Sequence, residues 1–122
     1  MGSSFIEYRG YGFWSADTYI ERLVGEAADT IAEMTKEDWE ADLAAHWNRM
    51  ASGGFGGWVH LYLDELLIDD RRRSQIQGVI QRVTELHADD DPIHQTGILL
   101  LKLLDGKLKT DAASPLDYMV GS

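Results

Sequence analysis

The stretch Ala16-Asp17-Thr18-Tyr19-Ile20-Glu21-Arg22-Leu23-Val24-Gly25-Glu26-Ala27-Ala28-Asp29-Thr30-Ile31-Ala32-Glu33-Met34 decides the fold class. Its apolar residues Ile20, Leu23, Val24, Ala27, Ile31 and Met34 fall on one stripe at helical spacing, as an amphipathic helix over about 16–34 requires. Ser15 or Asp17 offers the N-cap. The opposite face carries Arg22, Glu26, Asp29 and Glu33. At roughly 100° per residue these four sit within about one sixth of the circumference. They form a mainly acidic ridge in which Arg22 and Glu26 are spaced to pair.

Toward the N-terminus, Phe5-Ile6-Glu7-Tyr8-Arg9-Gly10-Tyr11-Gly12-Phe13-Trp14 is aromatic and holds two glycines. It reads as an extended lead-in, at most a short strand, whose rings pack back on the core. Met1-Gly2-Ser3-Ser4 resembles the remnant of an expression tag and receives no structural weight.

Toward the C-terminus, Thr35-Lys36-Glu37-Asp38 has the spacing of a capping box, with Asp in place of Glu. It restarts the chain as a second helix over about 36–51, with Trp39, Leu43, Trp47 and Met50 buried. Glu37 and Asp38 lie where the helix dipole favours anions, and Asp38 and Asp42 lie toward one edge of its outer face. Gly53 and Gly54 end this helix, and Gly53 to Gly57 make a corner pinned by Phe55 and Trp58.

A short helix over about 58–68 follows, then one over about 71–88 capped by Asp69 or Asp70. The core face of the latter is Ile76, Val79, Ile80, Val83 and Leu86. Asp89-Asp90-Asp91-Pro92 is a loop, with Pro92 opening a last helix over about 92–105. Ile98-Leu99-Leu100-Leu101-Lys102-Leu103-Leu104 is apolar nearly all round, which marks the central buried helix, and Gly106 ends it. The expected fold is therefore all-α, one domain over about 5–120, with four to five main helices and an aromatic lead-in.

The formal net charge is -10 across 122 residues. Residues 1–70 hold fourteen Asp and Glu against four Lys and Arg, whereas residues 71–122 hold seven of each. The imbalance thus lies wholly in the first part. Such a chain repels phosphates and anionic membranes and favours a basic protein partner. The plainer alternative is that acidity serves only solubility. The absence of cysteine excludes disulfides, thiol catalysis and thiolate zinc sites. No apolar run is long enough to span a bilayer and no signal peptide is visible, which suits the cytoplasm.

Chemistry-bearing clusters are few. His60 and Asp64 share a helix face in this reading, as a base and its orienting carboxylate would, but no nucleophile accompanies them. His87, Asp89, Asp90, Asp91 and His94 gather at one loop without the spacing of a known metal motif. The more ordinary reading is a solvated loop. Gly53 to Gly57 lacks the lysine and hydroxyl of a phosphate loop. Arg71-Arg72-Arg73 follows two aspartates, so structural ion pairing is its better reading, with Asp69 and Arg73 at i, i+4 spacing. No catalytic residue, metal ligand or cofactor is assigned.

Gly12-Phe13-Trp14 with Asp17, Trp39 and Trp47, Gly54-Phe55-Gly56-Gly57, Leu63-Asp64-Glu65-Leu66-Leu67 and Asp69-Asp70-Arg71-Arg72 together resemble small acidic helical immunity proteins of bacterial contact-dependent or secretion-delivered toxin systems. The resemblance covers about residues 5–105. It implies a protein that binds one cognate toxin domain, often a nuclease, in the cytoplasm and blocks its active site or substrate path. The chain matches neither the colicin-nuclease immunity pattern nor the barstar pattern, so no interface residues carry over. From the charge pattern, the expected interface is Glu26, Asp29 and Glu33, then Asp38 and Asp42, with Asp64, Glu65, Asp69 and Asp70 as a second group and Trp58 as an aromatic anchor. The alternatives are a non-catalytic adaptor or regulatory subunit and, behind it, a small metal-dependent enzyme using His87, His94 and Asp89 to Asp91.

Overall fold

A computed structural model describes residues 3–34, 37–51 and 60–108. The glycine corner, Phe55 and Trp58 lie outside the described residues, as do Thr35 and Lys36 of the expected capping box. The described chain runs β1 (Ser3–Tyr8), β2 (Tyr11–Ala16), α1 (Asp17–Met34), α2 (Asp38–Ala51), α3 (Leu63–Leu66), α4 (Asp70–Glu85) and α5 (Pro92–Leu104). The fold is mostly helical but not all-α, because the lead-in is an antiparallel hairpin.

Strand alternation explains that difference. Ser4, Ile6 and Tyr8 on β1 and Phe13 and Ser15 on β2 are buried, with Ile6 opposite Phe13 and Tyr8 opposite Tyr11. Arg9 and Gly10 turn the chain with φ of 53° and 86°, the paired positive values of a type I′ hairpin. Gly12 is required where it stands: a Cβ there would collide with the Ile6 carbonyl oxygen and the Phe5 ring. Ser3 and Ser4 belong to β1, and buried Ser4 donates to the Asp17 carboxylate at the start of α1. Ser3 and Ser4 therefore do carry structural weight.

The α1 stripe is buried as its spacing requires, except that Met34 is 39 % exposed. The α2 stripe Trp39, Leu43, Trp47 and Met50 is buried throughout. The short third helix is a single turn, because Tyr62 adopts a left-handed conformation (φ 53°, ψ 43°) and stops any helix from running through it. In α4, Ile76, Val79, Ile80 and Val83 are buried, whereas Leu86 lies beyond the last turn and is 73 % exposed.

Asp69 caps α4 by accepting from the Arg72 N–H, and Asp91 caps α5 by accepting from the Ile93 N–H. At the other end of α5, the Gly106 N–H donates to the Leu103 carbonyl and the Lys107 N–H to that of Lys102, with Gly106 at φ 74°. That pair of bonds is a Schellman closure.

The central element is α1, which packs against α2, α4, α5 and β2. Helix α5 is buried on one side only: Leu100, Leu103 and Leu104 are interior while Ile98 is exposed. Where α4 meets α5, Gly97 faces Thr84 so closely that no larger residue fits. None of the described helices is long and apolar enough to cross a membrane.

Candidate partner-binding surface

The expected interface carboxylates separate into two kinds. Asp29, Glu33, Asp38, Asp42 and Glu65 are exposed and make no hydrogen bond or ion pair with a described residue. The first four belong to the α1–α2 pair. The chain passes from α1 to α2 in three residues and the helices pack together, so they run antiparallel. The Ala51 side chain stands against Gly25, so Asp42, nine residues back along α2, lies near the level of Glu33, eight residues on along α1.

The remaining four have structural work. Glu26 bonds Arg22 Nε at 2.6 Å, as its spacing predicts, and also reaches His87 Nε2 at 3.0 Å across the bundle. Asp64 accepts from the Arg9 backbone N–H at 2.9 Å and so fastens the hairpin turn to α3. Asp69 is the α4 cap. Asp70 pairs with Arg73 at 3.3 Å, which takes the place of the expected Asp69–Arg73 pair because Asp69 is turned back on the helix end. The second acidic group is thus largely engaged in holding the fold, with Glu65 its free member.

The basic run clasps α4 to α2. Arg71 donates both terminal nitrogens to Glu37, at 2.7 and 2.9 Å, and the Trp39 indole N–H donates to the same carboxylate at 2.8 Å. These bonds, the Arg71 fork first, hold the Glu37 carboxyl down at about 2. Arg72 lies 4.8 Å over the Trp39 ring and donates to the Leu66 carbonyl. Sequence reasoning placed Glu37 only at a helix start. Its partner lies 34 residues away, so no local spacing could have indicated it.

The histidine clusters resolve differently from their sequence reading. His60 precedes α3, and its Nδ1 accepts from the Tyr62 N–H at 3.0 Å, so it does not pair with Asp64. His94 Nδ1 donates to the carbonyls of Thr84 and His87, at 2.8 and 3.0 Å, and so serves the end of α4. His87 faces Glu26 and, at 3.6 Å, Asp91. Among the described residues no three His, Asp or Glu side chains converge as a metal ion needs.

Beside the acidic ridge lies an open cleft of about 570 Å³, lined in part by Tyr19, Glu21, Glu26, Asp29, Asn48 and Ile93. Burial, and then the neighbouring Asp17 charge, push the Glu21 carboxyl upward. Fold and surface together define a hairpin-capped helical bundle with a free carboxylate group on one helical pair. No protein-family model, curated protein or solved structure matches this chain.

Proposed function

We propose that this chain is an immunity protein that binds a cognate basic toxin domain in the cytoplasm, a nuclease being the class its charge suits best. The observation that carries the proposal is the group Asp29, Glu33, Asp38 and Asp42, exposed on α1 and α2 and unpaired among the described residues. Residues 17–51 hold nine Asp and Glu against three Lys and Arg. Excess charge of one sign on a rigid surface, unclaimed by the fold, is what steers a basic partner into encounter. A nuclease must present a cationic cleft to its phosphate substrate, and an array of carboxylates competes for that cleft.

The test uses the basic C-terminal domain of a secreted protein encoded beside this chain. The wild-type chain should protect cells from that domain and associate with it quickly at low salt. Combined reversal of Asp29, Glu33, Asp38 and Asp42 to lysine should slow association by about tenfold or more, with dissociation changed less. Association that is indifferent to salt, or a neighbouring domain that is acidic and unaffected by the chain, would overturn the proposal.

A further inference from the structure

The segment Leu61-Tyr62-Leu63 presents one side chain outward from two buried ones. Leu61 and Leu63 are 3 % and 2 % exposed, while Tyr62 between them is 42 % exposed. The Trp47 indole N–H donates to the Leu61 carbonyl at 3.1 Å and fixes the segment from α2. The Tyr62 ring is held as well. His60 lies against it with ring centres 4.0 Å apart, and His46 meets it edgewise at 4.6 Å. His46 Nε2 is itself bonded to the His60 carbonyl at 2.8 Å, which closes the group. An exposed aromatic ring that has already lost its rotational freedom costs little further entropy on binding, and tyrosine is among the residues that dominate interface energies.

Next to this ring is a recess of about 70 Å³ whose lining includes Glu7, His60, Tyr62, Leu63, Asp64 and Glu65. That volume is far below what a cofactor or metabolite occupies, but it suits the head of one side chain. Glu7 and Glu65 have no partner among the described residues, and Asp64 uses one oxygen for the Arg9 N–H. The nearest cation of the hairpin, the Arg9 guanidinium, lies 5.0 Å over the Tyr8 ring.

We infer that Tyr62 and the recess beside it anchor the interface by receiving one lysine or arginine side chain of a basic protein partner, the stem lying on the Tyr62 ring and the charged head meeting Glu7, Asp64 and Glu65. The inference rests on the binding function proposed above and assigns the anchoring role to Tyr62, where sequence reasoning placed it on Trp58. The free carboxylates of α1 and α2 then govern approach, and Tyr62 governs residence.

The site can be tested without the partner. N-acetyl-arginine amide is titrated into the isotope-labelled full chain and followed by NMR, with N-acetyl-citrulline amide as the uncharged isostere. The arginine probe should shift the Tyr62 and His60 signals in a saturable way, and the citrulline probe should not. Tyr62→Gly should weaken the arginine response by roughly fivefold or more. Glycine suits the left-handed backbone at this position, so that variant stays folded and its loss cannot be ascribed to unfolding. Tyr62→Phe should retain most of the response. Shifts spread evenly over the acidic surface, an equal response to citrulline, or an unchanged response in Tyr62→Gly would each overturn the inference. Failure of the neighbouring toxin domain to bind would instead strike the proposed function and leave the probe result standing.

Discussion

Gly97→Ala should destabilise the protein although it places the better helix former in a helix. Alanine gains about 1 kcal/mol over glycine from helix propensity alone. Against this, the new methyl would overlap Thr84 Oγ1 and lie 3.0 Å from Thr84 Cβ and 3.1 Å from Thr84 Cγ2. Rotating the threonine cannot clear the contact, because its Cβ is fixed by the α4 backbone and two heavy atoms branch from it. The helices must move apart, which puts the cost near the upper end of the overpacking range, about 3 kcal/mol. The net expectation is a loss of about 2 kcal/mol, read from urea unfolding followed by tryptophan fluorescence.

Two companions sharpen that measurement. Gly78→Ala makes the same chemical change on the exposed side of α4, where a Cβ meets nothing within 4 Å, so it should raise stability by about 0.5–1 kcal/mol. Thr84→Ala in the Gly97→Ala background removes the Oγ1 and Cγ2 contacts and leaves only the approach of the two Cβ atoms; it also removes a buried hydroxyl that has no partner among the described residues. The two substitutions should then couple by about 1 kcal/mol or more. If Gly97→Ala were as stabilising as Gly78→Ala, α4 and α5 would not meet at Gly97 and Thr84.

Three further outcomes can be checked. Glu37 is held at about 2 in the folded protein, below its ordinary 4.5, so its contribution to stability is present above pH 4.5 and is lost as pH falls from there toward 2. Glu37→Gln should flatten that limb of the stability profile, and added salt should shrink the difference because the pair is solvent-exposed. Arg9→Asn should stabilise the hairpin by several tenths of a kcal/mol, since asparagine before Gly10 suits a turn with two positive φ values; an unchanged or lower thermal midpoint would count against the turn type. Asp69→Ala should cost about 1 kcal/mol through loss of the α4 cap and lower the urea midpoint at unchanged slope.

The helices were legible because their signal is local. The stripe from Ile20 to Ile31 and that from Trp39 to Met50 each repeat within one element, and burial follows the repeat. The pattern misled at its ends, where Met34 and Leu86 continue the spacing past the point at which a neighbouring element remains to cover them. The hairpin was half legible: alternation at Ile6, Tyr8 and Phe13 was present, but Arg9-Gly10 is a weaker turn signal than Asn-Gly.

Leu61, Leu63, Leu66 and Leu67 suggest a longer helix than exists, because one left-handed residue, Tyr62, leaves no trace in hydrophobic periodicity. Of the surface, the i, i+4 pair Arg22–Glu26 could be read from spacing. The contacts Glu37–Arg71, Glu26–His87 and Arg9–Asp64 join residues 34 to 61 positions apart, and only the packed bundle brings them together.

The division among the carboxylates sets where this protein is free to change. A substitution at Asp64 or Asp69 must contend with a turn or a helix end, and one at Glu26 disturbs a contact that reaches the α4–α5 loop. Asp29, Glu33 and Asp42 answer to nothing in the described interior, and Asp38 only to the first turn of α2. Drift at Asp29, Glu33 and Asp42 leaves the bundle intact, so these outward side chains can be exchanged while the architecture is inherited unaltered.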